Sequence, residues 1–276
     1  MDLHFTIDEE LCIQCRACSD DCPFQIIEMN SDYPSLNPSR TDRCIACQHC
    51  LAICPTGALS IFGRRPEDSL PLPESLPSGA QMTALIKGRR SIRRFLPEPL
   101  PVDLINTMIA TVANGPTGIN YRRCLFTVID DPASMAVFRH EIIEGLRQAA
   151  AKKRTSDKFP YFRHVVTAWD KGQDIIFRHA PHLLIVSVPP DVSTPDADSI
   201  IAVSYFELLA ASMGIGTLWN AMIGWSCALI DANLYQLLGI PDDHVKGYAI
   251  LFGRPAVQYH RTVQRDEAVI NRVRLA

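Results

Sequence analysis

Apolar positions along residues 80–276 recur with the two periods of regular secondary structure. Apolar residues three or four positions apart predict buried or amphipathic helices, and short runs of branched apolar residues predict buried strands. This pattern predicts helices at residues 82–87, 103–113, 134–151, 199–213 and 231–238. It predicts strands at residues 124–129, 183–188 and 248–252. Helices that surround a sheet give a predicted α+β class.

The first 64 residues show a different pattern, with predicted short strands at 3–7, 25–29 and 58–62 separated by cysteine-rich loops. Residues 65–79 contain four prolines and no apolar period, which predicts an extended, semi-rigid linker. The expected organisation is therefore a small domain at residues 1–64, a linker at 65–79 and a larger domain at 80–276.

Composition excludes several classes of protein. The net charge is −3 and no long basic run is present, so a nucleic-acid partner is not expected. The N-terminus has neither the basic nor the apolar region of a secretory signal. The weakly polar stretch at 200–230 is interrupted by Glu207, Asn220 and three glycines, which favours a buried helix plus a loop over a membrane span. A cytoplasmic location without membrane attachment is expected.

Cysteine placement indicates metal binding. Eight of the ten cysteines lie between Cys12 and Cys54, whereas Cys124 and Cys227 stand apart in apolar stretches. A disulfide-stapled fold would spread its cysteines over the chain, so the crowding favours metal ligation. The two separate cysteines are expected to be buried structural thiols.

The eight cysteines form an internal repeat with an offset of 32 residues, from Cys12 to Cys44. Each run has the spacing C-x2-C-x2-C-x3-C-P, which resembles the two-cluster bacterial ferredoxins over about residues 1–64. That resemblance implies two 4Fe–4S clusters in which the fourth cysteine of each run ligates the other cluster. The implied ligand sets are Cys12, Cys15, Cys18 and Cys54 for one cluster, and Cys44, Cys47, Cys50 and Cys22 for the other. Zinc is the alternative, but paired C-x2-C units do not explain two identical runs that end in proline.

Four arginines and a serine are concentrated in the segment Arg89-Arg90-Ser91-Ile92-Arg93-Arg94-Phe95. Guanidinium groups bind phosphate bidentately, so the segment suits a phosphate monoester. By itself it is more typical of an exposed basic turn.

Further motifs make residues 80–270 similar to the nitroreductase family. The arginine segment resembles the FMN-binding entry of that family, and residues 113–120 resemble its Ala-Pro-Ser-x-x-Asn loop, although Arg122-Arg123-Cys124 replaces the usual Gln-Pro-Trp. Residues 172–181, 214–222 and 251–255 resemble its mid-domain segment, its loop facing flavin N5 and its terminal Gly-Tyr-Pro segment. The resemblance implies FMN bound by Arg89, Arg90, Ser91, Arg93, Pro116, Thr117, Gly118, Asn120, Trp219, Ala221, Met222, Arg261 and Arg265.

The resemblance also implies a homodimer with FMN at the interface and two-electron reduction of a small electron-poor acceptor, such as a nitroaromatic, a quinone-like compound or an activated enone. Electrons are expected to enter at the clusters from a ferredoxin-type donor. No G-x-G-x-x-G unit is present, so NAD(P)H is expected only as a transient donor. No side chain is assigned as catalytic; Tyr161, Phe162 and Trp169 suit either a flavin cover or ordinary packing. The alternative function is an electron-transfer module between a ferredoxin-type donor and a partner enzyme.

Overall fold

A computed structural model of the chain describes residues 2–30, 32–72, 75–151, 161–230 and 233–275, with the side chain of Tyr161 outside the description. The chain divides into two compact units. The first comprises Met1–Pro77 and Ile119–Tyr121, and the second comprises Ser78–Gly118 and Arg122–Ala276. Within the described ranges, no helix combines the length and the apolar character needed to cross a membrane.

The first unit is built from two small antiparallel sheets and two short helices. Strand β1 (Thr6–Ile7) and strand β2 (Ile27–Asn30) belong to its first half, as does helix α1 (Ala17–Asp20). The remaining elements are β3 (Tyr33–Leu36), α2 (His49–Ala52) and β4 (Leu59–Ser60). β1 pairs with β4, and β2 pairs with β3. The two helices occupy equivalent positions in the two cysteine runs, so the sequence repeat is also a structural repeat.

The apolar core of the first unit is small and includes cysteines. Its fully buried aliphatic members are Leu3, Ile26, Ile27, Leu51, Leu59 and Ile61. Packed with them are the side chains of Cys18, Cys22, Cys44, Cys50 and Cys54. A core of this size buries little apolar area, so whatever the cysteines hold contributes to the stability of the unit.

The second unit contains seven helices and four strands in its described residues. The helices are α3 (Gly79–Gly88), α4 (Val102–Val112), α5 (Pro132–Ala151), α6 (Tyr161–Asp170), α7 (Pro195–Ser212), α8 (Ala221–Leu229) and α9 (Leu234–Leu237). The strands are β5 (Leu125–Ile129), β6 (His182–Val188), β7 (Gly216–Trp219) and β8 (Val245–Gly253).

The four strands form one antiparallel sheet in the order β5-β6-β8-β7, with helices on both faces. All seven residues of β6 are buried, as expected for a central strand covered on both sides. Leu183 and Ile185 pack into the apolar cluster formed with α5, α6 and α8. Leu184 and Val186 point to the opposite cluster, formed with α4 and α7. The predicted α+β class is confirmed, and β7 is left as an edge strand.

The elements predicted in the second unit are present with small changes of boundary, except that residues 231–232 of the last predicted helix lie outside the described residues. Three elements were not predicted: α6, β7 and α8. The predicted loop after α7 is wrong, because those residues form β7 and then α8. In the first unit β3 was not predicted, because Pro34 argues against a strand in sequence and is accepted here in a two-stranded edge pair.

The segment predicted as a linker contains a short 3-10 turn at Pro66–Asp68, and residues 73–74 lie outside the described residues. It ends where Ser78 caps α3. The Ser78 hydroxyl accepts a hydrogen bond from the backbone N–H of Gln81 (3.2 Å), and the Gln81 amide oxygen accepts one from the Ser78 N–H (2.8 Å). This capping box gives α3 a sharp start and positions the arginine segment at its other end.

Candidate functional site

The eight clustered cysteines line two separate cavities in the first unit. One cavity is lined by Cys12, Cys15, Cys18 and Cys54, and the other by Cys22, Cys44, Cys47 and Cys50. The two cavities are nearly equal in size. Each therefore combines three cysteines of one run with the last cysteine of the other run, as the resemblance to two-cluster ferredoxins implies.

Loop geometry is the same around both cavities. Gln14 and Arg16 in the first run have φ of 58° and 66°, and Ala46 and Gln48 in the second run have φ of 53° and 58°. Left-handed backbone is unfavourable for residues with a Cβ, at roughly 1 kcal/mol each. Alternating handedness along a loop turns successive N–H groups towards one side, which makes a concavity for an anion. The strain therefore indicates loops that are shaped for a negatively charged group.

The cysteine cavities fit a polynuclear cluster better than a single ion. Tetrahedral zinc at 2.3 Å from each sulfur would require sulfurs roughly 3.8 Å apart. In the described part of the chain, no three or more His, Cys, Asp and Glu side chains converge closely enough to hold one ion. In a 4Fe–4S cluster each cysteine sulfur binds a different iron, so the four thiolates surround the cube instead of converging on one ion.

The cysteines differ in their electrostatic environment. Burial raises the pKa of the Cys50 thiol to about 12, and burial also raises the pKa values of Cys18 and Cys44. Burial also acts on Cys54, but hydrogen bonds from Ala58, Thr56 and Leu59 outweigh it and lower the pKa of that thiol. Metal binding removes the proton from each thiol whatever its pKa. The lower pKa of Cys54 therefore indicates that the protein stabilises this sulfur as an anion better than the other three.

An arginine-lined cleft lies in the second unit beside the edge strand β7. Its solvent-accessible volume is about 540 Å³, and its walls include Arg89, Arg90, Gly216, Thr217 and Tyr259. The backbone N–H of Ile92 donates to the carbonyl of Thr217 (2.8 Å), so the arginine segment runs alongside β7. Arg90 Nε is buried and has no hydrogen-bond partner among the described residues. An unused guanidinium donor in a cleft indicates an anionic ligand.

Glu207 was not predicted as part of this site. It lies on α7 and is nearly buried, and its carboxylate accepts hydrogen bonds from Arg89 Nη1 (3.1 Å) and Thr217 Oγ1 (3.3 Å). The pair Arg89–Glu207 spans 118 positions of sequence, so no local pattern indicates it. Glu207 holds one arginine and one strand residue of the cleft in place.

Beside the junction between β7 and α8 lies a second cavity of the larger unit, in addition to the arginine cleft. Its solvent-accessible volume is about 230 Å³. Asn220 caps α8: its side-chain oxygen accepts from the Ile223 N–H (3.3 Å), and its Nδ2 donates to the Ile176 carbonyl (2.7 Å). The first N–H groups of a helix have no acceptor within the helix, so those of Ala221 and Met222 are available to a ligand. The walls of this cavity include Asn220, Ala221, Trp225, Tyr235, Lys246 and Tyr248.

Other predicted residues are placed elsewhere in the chain. Pro116 and Thr117 line a third cavity, and the N–H of Gly118 donates to Asp198 Oδ1 (3.0 Å). Asn120 belongs to the first unit, where its Nδ2 donates to the carbonyl of Ile45 (2.8 Å).

Three predicted arginines are exposed. The guanidinium of Arg93 turns back to the carbonyl of Ser91 (3.5 Å). Arg261 and Arg265 lie in the exposed C-terminal coil, whereas Val257, Gln258 and Tyr259 of that segment line the arginine cleft. Among the described residues the cleft therefore gathers Arg89 and Arg90. Ala221 lines the cavity at the helix junction, whereas Trp219 packs against the apolar cluster of α4 and α7 and Met222 against the opposite one.

Two of the three aromatic residues considered as a flavin cover are described. Phe162 is fully buried in the apolar core, and Trp169 packs against the same core while half-buried. Their packing matches the alternative prediction, ordinary core residues. The Tyr161 side chain lies outside the described residues.

Comparisons with known proteins match each of the two units to a family. The model of the nitroreductase family matches residues 86–254, and that of the 4Fe-4S dicluster domain matches residues 11–59. An iodotyrosine deiodinase from Nematostella vectensis is 23% identical over 190 residues, covering 68% of this chain and 67% of the relative. A ferredoxin from Methanocaldococcus jannaschii is 36% identical over 58 residues, covering 20% of this chain and 90% of the relative.

The fold is also found among solved structures. A nitroreductase with bound FMN from Bacteroides fragilis superposes with a TM-score of 0.56 at 23% identity, covering 70% of this chain and 99% of that one. The chain spans between 49% and 67% of the length of the iodotyrosine deiodinases that it matches.

Proposed function

The chain belongs to the nitroreductase family of FMN-dependent oxidoreductases and carries a 4Fe-4S dicluster domain at its N-terminal end, and from this premise we propose that it passes electrons from two 4Fe–4S clusters to FMN and on to a small electron-poor acceptor. One observation carries the proposal: two four-cysteine cavities and an arginine-lined cleft occur in the same chain. When bound, iron–sulfur clusters accept electrons singly, whereas FMN stores two and releases them as a hydride equivalent.

In the first unit, each cysteine cavity is proposed to hold one cluster, with ligands Cys12, Cys15, Cys18 and Cys54 in one cavity and Cys44, Cys47, Cys50 and Cys22 in the other. The left-handed residues of these loops would turn backbone N–H groups towards the sulfurs of a bound cluster. Buried apolar residues, Leu59 in one cavity and Ile61 in the other, would shield the inner side of each cluster from water.

In the second unit, the proposed FMN site follows β7. Arg89 and Arg90 supply positive charge for the phosphate at the Gly216 end, where an unused Arg90 donor supports an anion. At the other end the N-terminal N–H groups of α8 are proposed to donate to flavin N5. From Gly216 to Ala221 the chain advances roughly 16 Å at 3.3 Å per residue, which suits an elongated ligand such as FMN.

The acceptor is proposed to bind in the cavity beside Asn220 and Ala221. Trp225 and Tyr248 give it two aromatic side chains that are each about half exposed, with relative exposures of 50% and 45%. Flat aromatic walls favour flat acceptors such as nitroaromatics, quinone-like compounds and enones. We assign no side-chain acid to this step, so protons are proposed to come from water.

A homodimer is proposed to complete the FMN site. Pro116, Thr117 and Gly118 do not line the arginine cleft of their own protomer, so a second copy is proposed to supply them. Helix α7 leaves Ile200 and Tyr205 exposed, which supports an apolar interface. FMN affinity should then rise with protein concentration in step with the dimer fraction measured by analytical ultracentrifugation. An affinity independent of dimerisation would contradict this part of the proposal.

The electron path is tested with anaerobically purified protein assayed for iron, sulfide and FMN. Reduced ferredoxin or NAD(P)H is added, and flavin absorbance is followed by stopped flow. With Cys15→Ser, flavin reduction by ferredoxin should slow at least tenfold, whereas Cys227→Ser, outside the cysteine cavities, should leave it unchanged. If Cys15→Ser has measurably lost a cluster and ferredoxin still reduces its flavin at the wild-type rate, the proposal is wrong.

A screen of acceptors separates an enzyme from an electron-transfer module. Reduced protein is mixed with nitroaromatics, quinones and enones under the same conditions. Reoxidation of the flavin by at least one class with product formation is expected. Reoxidation only by a protein partner would instead assign the chain to electron transfer between proteins.

A further inference from the structure

The internal repeat offers a comparison of the two cluster cavities within one molecule. After the last cysteine, one run reads Cys54-Pro55-Thr56-Gly57-Ala58 and the other reads Cys22-Pro23-Phe24-Gln25-Ile26. The turn itself is the same, because the Gly57 N–H donates to the Cys54 carbonyl (3.3 Å) as the Gln25 N–H donates to the Cys22 carbonyl (3.0 Å). The difference lies in the side chains, because Thr56 places a hydroxyl where Phe24 places a phenyl ring.

That difference changes the surroundings of the sulfur. The Ala58 N–H donates to Cys54 Sγ at 3.2 Å, and Thr56 Oγ1 lies 3.8 Å from the same sulfur. Within the described residues, Cys22 Sγ accepts no such hydrogen bond, and the equivalent Phe24 forms part of its apolar cavity wall. Thr56 and Ala58 likewise line the cavity that contains Cys54. The two cavities therefore have equal cysteine sets and unequal donors to sulfur.

We propose that Thr56 and the Ala58 N–H make the cluster held by Cys12, Cys15, Cys18 and Cys54 the more easily reduced of the two. Reduction adds one electron to a cluster, and much of the added negative charge resides on sulfur. Donors to a ligand sulfur stabilise that charge and raise the reduction potential. Thr56 keeps its proton throughout, so it acts as a positioning residue through Cys54.

The proposal rests on both cavities holding clusters, as in the proposed function. Electrons supplied one at a time by a low-potential donor such as dithionite would then equilibrate within the first unit in favour of the cluster bound by Cys54.

The test is a redox titration of the full-length protein, performed anaerobically with dithionite and monitored by EPR. Thr56→Val removes the hydroxyl while keeping the shape. The higher of the two cluster potentials should fall, so that the ratio of reduced to oxidised cluster at a fixed ambient potential drops several-fold; tenfold would correspond to about 59 mV. Thr56→Ser should restore the wild-type value.

A matched control is Thr41→Val, which removes a hydroxyl three residues before Cys44 that has no described contact with a sulfur. It should leave both potentials unchanged. A fall of the lower potential in Thr56→Val, or no change of either, overturns the inference. If Thr56→Val loads less iron than wild type, Thr56→Ala and Thr56→Ser decide between the same outcomes. Wild-type protein that lacks two reducible clusters contradicts the proposed function itself.

Discussion

Arg89 donates a hydrogen bond from Nη1 to the carboxylate of Glu207 at 3.1 Å, joining the start of the second unit to its long helix α7. The Glu207 side chain is 11% exposed, and its other partner is the hydroxyl of Thr217. The arginine proposed to meet the FMN phosphate is therefore held in place by an acid on a different element.

Removing one member of this pair should cost more than removing both. Arg89→Met leaves a nearly buried carboxylate without its cation, at a cost of about 3 kcal/mol, whereas Arg89→Met with Glu207→Leu should recover at least half of that. Urea unfolding of FMN-free protein measures both. Arg123→Met, which breaks the exposed pair with Asp191, should cost less than about 1 kcal/mol. Glu207→Leu alone completes the cycle, and a double-variant cost equal to the sum of the two single-variant costs would show that the pair is not coupled.

Asn220 should be more important than an ordinary helix cap. Its amide donates to the Ile176 carbonyl and its oxygen accepts from the Ile223 N–H in a buried position. Asn220→Ala should destabilise the protein by about 2–3 kcal/mol. Asn220→Asp keeps the cap but cannot donate, so it should remain destabilised by at least 1 kcal/mol. Asn233→Ala, at the exposed cap of α9, should cost about 1 kcal/mol. Thermal and urea unfolding distinguish the three.

Crossed ligation can be tested by counting iron in double variants. Cys22→Ser with Cys44→Ser removes two ligands of the same cavity and should leave about half of the iron. Cys22→Ser with Cys12→Ser removes one ligand from each cavity and should leave almost none. Both variants carry the same number of changes in the same unit. If the second double variant keeps half of the iron, each run binds its own cluster and the crossed assignment is wrong.

Lys246 should set a preference among acceptors. Its ammonium lies 5.6 Å from the centre of the Tyr235 ring and contacts the Asp242 carbonyl, in the cavity that also contains Asp196. Lys246→Met should raise KM for 4-nitrobenzoate about fivefold while leaving KM for nitrobenzene unchanged, because an exposed cation contributes about 1 kcal/mol. Asp196→Asn should shift the same ratio in the opposite direction. Parallel changes for both acceptors would remove Lys246 from acceptor recognition.

Acid should destabilise the second unit through His182. Burial lowers the pKa of this histidine, and its Nε2 accepts a hydrogen bond from the Leu100 N–H at 2.7 Å, so the folded state keeps it neutral. The unfolded chain binds a proton near pH 6.5, so stability is present above that pH and falls below it by up to about 1.4 kcal/mol per unit. Urea unfolding between pH 7.5 and 5.5 measures the slope. His182→Gln should flatten it, whereas exposed His140→Gln should not.

The spacing within each run indicates which three sulfurs share a loop, whereas the exchange of the fourth cysteine between the runs was implied only by the resemblance to two-cluster ferredoxins. The Arg89–Phe95 segment was also recognised from local composition. Glu207 was not predicted, because its ion pair with Arg89 forms only when α7 packs beside β7. Lys246 and Tyr248 join Ala221 for the same reason, through strand pairing between β7 and β8.

Two elements near the proposed FMN site were missed for physical reasons. β7 is four residues long and begins with a glycine, so it has neither the length nor the period that indicates a strand. α8 is apolar almost all round, which resembles a buried loop or strand as much as a helix. The Asn220 cap before that run is the signal that would have indicated its start.

The left-handed residues Gln14, Arg16, Ala46 and Gln48 have a consequence for how the chain matures. Without an anion to attract their N–H groups, these four residues favour other backbone conformations, and the small core around them is too weak to prevent the change. The first unit therefore needs iron and sulfide to reach its folded structure. Its folding should be only as fast as cluster insertion, whereas the larger unit, with its own sheet and two apolar clusters, should fold without iron and sulfide.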